Sequence, residues 1–120
     1  MLNALAKQVK SFKYAFSGIA KVVLTERNMQ IHVVAAITVV GFGFYYHLNT
    51  TEWCLVIICI AAVFSAEMFN TAIEKWIDFV HPQHHKTVGF VKDVAAGAVL
   101  VLAIAAAVVG LMIFLPKILA

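Results

Sequence analysis

Charge is scarce in this 120-residue chain: Asp, Glu, Lys and Arg make up 12% of it, against about 25% in a soluble domain. Apolar residues make up 63%, where soluble domains hold about 45–50%, and the mean hydropathy is +0.95. That shortage excludes a soluble globular protein and places the chain in a bilayer. Cysteine is nearly absent too. Cys54 and Cys59 stand in one apolar run, where a helix points them in different directions, so no disulfide between them and no oxidising compartment is implied. There is no Walker A pattern, no repeat, no low-complexity segment and no flexible linker. No broad basic surface exists outside the apolar runs, so nucleic acid is not an expected partner. The first long apolar run starts only after about thirty residues with no small-residue cleavage site behind it, unlike a signal peptide.

What is present is long apolar runs. At ~20 residues per spanning helix, the chain holds three spans and short connections, and no separate soluble catalytic domain. The first span is read over 31–48, free of Asp, Glu, Lys and Arg and closing on Tyr45, Tyr46 and His47, aromatics that suit an interface. Asn49, Thr50 and Thr51 form a polar turn. The second span, over 53–80, becomes progressively polar beyond Glu67, and the third, over 92–115, ends at Pro116 and Lys117. Ahead of them, within residues 1–28, Leu2, Leu5, Val9, Phe12 and Phe16 recur at helical steps with Lys7, Lys10 and Lys21 on another face, the pattern of an amphipathic helix lying on a membrane surface. The expected fold is therefore an all-α integral membrane protein, a single domain of one surface helix and three spans.

Basic residues set the orientation. Eight of the nine Lys and Arg lie before the first span or around the second connection, where the end of span two, the connection and the start of span three carry Lys75, Lys86 and Lys92, and only Lys117 lies elsewhere. The N-terminus and the second connection are thus expected in the cytoplasm, with the first turn and the C-terminus outside.

Against this background the acids stand out. On a helical wheel Asn70, Glu74 and Asp78 fall within about 60° of Glu67, giving one polar stripe, backed by Phe69, Ile73, Trp76 and Ile77. At ~1.5 Å per residue Glu67 lies ~21 Å from Trp53, still inside a hydrocarbon core of ~30 Å, whereas Glu74 emerges at its edge. An acid at that depth costs several kcal/mol and marks function by default. Glu26, Lys92 and Asp93 come to the same boundary, so five of the six acids gather there and only Glu52 lies outside. Mg²⁺ is usually held by one or two carboxylates with substrate phosphates. Phosphoryl transfer needs little beyond charge neutralisation, in-line positioning and a base. The inventory suits a kinase acting on a lipid alcohol, with Glu67 as the base because it sits deepest. A non-enzymatic reading competes: a proton-coupled transporter subunit using Glu67 as a relay.

These residues resemble the prokaryotic diacylglycerol kinase family. Glu67-x-x-Asn70-Thr71-Ala72-Ile73-Glu74-x-x-x-Asp78 carries its signature, Lys92-Asp93-x-Ala95-Ala96-Gly97 its second, and Gly18 with Glu26-Arg27-Asn28 its first segment. The resemblance implies Glu67 as general base with Asn70 beside it and the lipid, Glu26 and Glu74 holding Mg²⁺ with ATP, and Lys92 and Asp93 at the nucleotide. Lys7, Lys10 and Tyr14 align with family positions near the nucleotide. A homotrimer with shared sites in a bacterial inner membrane is implied as well, and Ala106-x-x-x-Gly110 offers a small-residue seam for helix packing. His32 departs from the acid found there in Gram-negative diacylglycerol kinases. With Glu52-Trp53 and Ile113-Phe114-Leu115-Pro116, it resembles undecaprenol kinases of Gram-positive type, which favours undecaprenol over diacylglycerol.

Two further signals are set aside. Gly41-Phe42-Gly43 sits inside a span without the strand-turn-helix context of a dinucleotide loop, and is read as packing. His81, His84 and His85 are read as an interfacial loop with adventitious metal affinity.

Overall fold

In a computed structural model that describes residues 1–120, the chain is four helices and no strand: α1 (Leu2–Thr25), α2 (Arg27–Tyr45), α3 (Thr50–Val80) and α4 (Lys86–Leu119). The last three are each long and apolar enough to cross a membrane. Hydrocarbon offers no hydrogen-bond partner, so a spanning segment must bond its own backbone. Accordingly, 89 of the 98 backbone hydrogen bonds lie within helices.

Three ion pairs fix the order of the ends. Lys117 near the end of α4 meets Glu52 in the first turn of α3 at 3.3 Å. At the opposite end Lys92 of α4 pairs with Asp78 of α3, and Glu26, between α1 and α2, lies 3.4 Å from Lys75. The three spans therefore run up, down and up. The α1–α2 corner and the α3–α4 connection share one end, and the α2–α3 turn and the C-terminus share the other.

That turn is built by a local code. Leu48 N–H donates to the Gly43 carbonyl and His47 N–H to that of Phe44. His47 takes a left-handed backbone, φ 54°. This pair of bonds around one left-handed residue is a Schellman motif. Asn49 then caps α3: its side chain accepts from Glu52 N–H at 2.9 Å, and the Glu52 carboxylate accepts from Asn49 N–H at 3.0 Å. The reciprocal bonds form a capping box. The Trp53 indole lies flat on Gly43, where an added Cβ would meet it at 2.6 Å, so Gly43 is a packing glycine. Leu48, Val56 and Ile113 bury together beside the turn.

The helices start earlier than the spans read from the sequence, at Arg27, Thr50 and Lys86, so that Thr50 and Thr51 open α3 instead of lying in the turn, and two of the ends differ as well. The first spanning helix stops at Tyr45 rather than continuing to Leu48, because the cap needs three residues to reverse the chain. Helix α4 runs through Pro116 to Leu119 instead of ending there. Proline is tolerated in spanning helices where neighbouring groups and local adjustment re-satisfy the freed backbone.

Only 11 of the 120 residues are buried, so the apolar outer faces have nothing of this chain against them. Helix α4 packs along α3, α2 packs more lightly on α3, and α2 meets α4 through side chains such as Phe42 and Phe114. The molecule measures 53 × 48 × 21 Å. The 34 residues of α4 account for the long dimension at ~1.5 Å each. Three helices at 8–10 Å spacing cannot supply 48 Å, so α1 must reach out sideways. The bend is a single residue: Glu26 at φ −98°, ψ 118° ends α1 and starts α2. Leu2, Leu5, Val9, Phe12 and Phe16 are all exposed along the projecting helix.

Candidate active site

The inner face of α3 is apolar at one end and polar at the other. Val56 and Val63 are buried, then Glu67, Asn70 and Thr71, then Ile77. Opposite, α2 presents Met29, His32, Ala36, Val39 and Gly43 at three- and four-residue steps, each buried or half-buried. His32 is the one polar member of that stripe. Its Nε2 lies 3.5 Å from Glu67 Oε2, and Glu67 is only 3% exposed. One turn further along α3, the Asn70 Oδ1 is buried with no hydrogen-bond partner. An orphaned acceptor of this kind calls for an explanation.

Toward the end of α3 the stripe opens. Glu74 is half-buried and forms no ion pair. Glu26 reaches the same level through its contact with Lys75. Lys92 is engaged by Asp78, and Asp93 is exposed beside it. Nowhere do three or more His, Cys, Asp or Glu side chains gather closely enough to hold a metal by themselves. The loop histidines are occupied locally: the His81 Nδ1 bonds the Gln83 carbonyl, and the His85 Nδ1 accepts from Thr87 N–H.

The structure thus assembles Glu67, Asn70, Glu74, Glu26, Asp78 and Lys92 along one side of α3. It does not bring Lys7, Lys10 or Tyr14 to them. Every residue from 1 to 17 is exposed, because α1 leaves the bundle at Glu26. The back of the stripe also differs from the wheel: Phe69 and Trp76 are 72% and 67% exposed, while Ile77 is buried. Ile77 lies about 80° from Glu67 at 100° per residue, next to Asn70, and turns inward with it.

Below Glu67 runs an apolar groove of about 540 Å³ between α2, α3 and α4, with His32 in its wall. Small side chains make the space: Ala36, Ala106 and Gly110 line it, with Val63 and Phe114. Within this chain no helix packs closely on Ala106 and Gly110: nothing lies within 4 Å of a Cβ built on Gly110. The reading of the acids left the His32–Glu67 contact unseen. Its signal was a polar residue in register with Met29, Ala36 and Gly43 on an otherwise apolar face.

A buried acid beside an apolar groove in a three-span chain has counterparts among known proteins. The family profile described as prokaryotic diacylglycerol kinase matches residues 13–114. The chain belongs to the prokaryotic diacylglycerol kinase family. Over 115 residues it is 44% identical to the undecaprenol kinase of Bacillus subtilis (strain 168), covering 96% of this chain and 94% of that one. It is 36% identical over 110 residues to a diacylglycerol kinase of Synechocystis sp., covering 91% of this chain and 63% of that one. This diacylglycerol kinase family member is accordingly a membrane enzyme, an ATP-dependent lipid kinase, and the reading as a transporter subunit falls. The matched stretch includes Tyr14, Glu26, Glu67, Asn70, Glu74, Asp78, Lys92 and Asp93, and begins after Lys7 and Lys10.

Proposed function

We propose that this kinase transfers the γ-phosphoryl group of ATP to the hydroxyl of undecaprenol, giving undecaprenyl phosphate. The observation that carries the proposal is the position of Glu67, a buried acid one turn beyond Val63 and Phe64 of the groove wall and 3.5 Å from His32, which belongs to that wall. An alcohol with its hydrocarbon chain in that groove places its hydroxyl beside the carboxylate. The hydroxyl proton passes to Glu67 as the oxygen bonds to the γ-phosphorus, the bond to the bridging oxygen breaks, and ADP leaves. Asn70, whose side chain is buried one turn along from Glu67, lies where its amide N–H can donate to a phosphoryl oxygen and hold the reacting groups in line.

Glu26 and Glu74 would hold Mg²⁺. The donor set fits: two carboxylate side chains, one without an ion-pair partner and one touched only by Lys75, with no third acid to complete an all-protein cage. Magnesium takes few carboxylates and completes its shell with phosphates and water. When bound, it neutralises the phosphates of ATP. Lys92, released from Asp78, and Asp93 attend the nucleotide.

The projecting α1 suits a homotrimer in which Lys7, Lys10 and Tyr14 serve a neighbouring subunit's nucleotide, with the apolar face of α1 on the inner leaflet. The end bearing Glu26, Glu74 and Lys92 faces the cytoplasm, so the C-terminus lies outside. Undecaprenol is preferred to diacylglycerol because the relative matched nearly end to end carries that name. The test is parallel turnover of purified enzyme in vesicles holding either alcohol with Mg²⁺ and ATP. A higher kcat/KM for undecaprenol is expected; a preference for diacylglycerol overturns the substrate assignment and leaves the chemistry.

A further inference from the structure

We infer that His32 is the positioning residue of the Glu67 carboxylate, holding one of its oxygens so that the other faces the hydroxyl at the head of the groove. The inference rests on the reading of Glu67 as the base.

Three observations converge. First, the contact is one-sided: the imidazole Nε2 approaches Oε2 at 3.5 Å, and no other basic side chain comes within ion-pair distance of Glu67. The remaining lysine contacts, through Lys75, Lys92 and Lys117, go to Glu26, Asp78 and Glu52. Second, the imidazole belongs to both regions. It is 23% exposed on its side chain and forms part of the groove wall, while the acid it touches is buried. Third, His32 stands on a fixed base. Met29, one turn earlier on the same face, is fully buried, and that face packs on α3. The ring is therefore held by the α2–α3 packing.

A glutamate side chain has three rotatable bonds, and a general base must come within about 2.6–3.2 Å of the proton it takes. A misplacement of about 1 Å costs up to about 100-fold in rate. Tethering Oε2 removes most of that freedom. It also gives the carboxylate an orienting group on the side of the groove, whose other lining side chains are alanine, glycine and apolar residues and a cysteine.

The experiment is steady-state kinetics of the full-length enzyme in undecaprenol-containing vesicles, for H32A, H32Q, H32L, E67Q and the double variant E67Q/H32A. Thermal unfolding of each is followed alongside. H32A is expected to lower kcat by about 10- to 100-fold with KM for ATP unchanged. H32Q, whose amide N–H can stand where Nε2 stands, is expected to recover most of that loss. H32L fills the same space without a donor and is expected not to. The double variant should be no slower than E67Q alone, since a tether has no effect once its carboxylate is gone.

An H32A enzyme with wild-type kcat overturns the inference, as does an H32L enzyme as active as H32Q, which would make the residue a packing group. Should H32A fail to fold, the Gln and Leu pair carries the same decision. A fully active E67Q overturns the base assignment itself, and is distinguished from failure of the tether alone, in which E67Q is dead and H32A is not.

Discussion

Replacing Glu67 by glutamine exchanges one oxygen for an amide nitrogen at constant shape, at a site that is 3% exposed. No cavity opens, and His32 still meets a polar partner. Two stability effects oppose each other. An acid within a span costs about 2.5–3.5 kcal/mol at mid-depth, and the amide removes much of that; the contact with His32 at 3.5 Å is weakened in return. The thermal midpoint is therefore expected to move by no more than a few degrees. Turnover behaves differently. A positioned general base contributes about 10²- to 10⁴-fold, equal to about 2.7–5.5 kcal/mol of barrier at ~1.36 kcal/mol per tenfold. The assay is transfer of labelled γ-phosphate from ATP into extracted lipid, with unfolding followed on the same preparation. Turnover within about tenfold of wild type would refute the role of Glu67, because no base of normal effect could then be missing. A variant that unfolds would also refute it, showing that the acid serves to join α2 to α3.

Glu74→Gln is expected to lower activity at limiting Mg²⁺ and to recover in part as Mg²⁺ is raised; an unchanged Mg²⁺ dependence would remove Glu74 from the metal site. His47→Gly is expected to stabilise the α2–α3 turn by about 0.5–1 kcal/mol. The left-handed backbone costs an L-residue about 1–2 kcal/mol, and glycine returns part of that through its greater freedom when unfolded. A lower melting temperature would contradict the cap assigned at that residue.

Much of this architecture was legible in the residues. The three apolar runs give the spans because a bilayer allows few other solutions, and the period of α3 collects Glu67, Asn70 and Glu74 on one side. What was hidden lay between helices or in their ends. The His32–Glu67 contact depends on how α2 is rotated against α3, which no single-helix wheel contains. The corner at Glu26 carries neither glycine nor proline, so nothing local announces that α1 departs there. Pro116 reads as a stop, yet α4 continues one turn past it to Leu119, where Lys117 of that last turn meets Glu52. Ala106 and Gly110 have the spacing of a tight crossing, yet small residues permit an approach without enforcing one, and here they leave the groove.

That groove is open along its side, with α2 and α4 meeting through Phe42 and Phe114 at one end. An alcohol entering from that side would come out of the leaflet without crossing water. Its working concentration is its mole fraction in the two-dimensional film around the enzyme, and the bulk volume does not enter. Diluting vesicles in buffer should leave lipid turnover unchanged at saturating ATP, whereas diluting the alcohol with inert phospholipid should slow it.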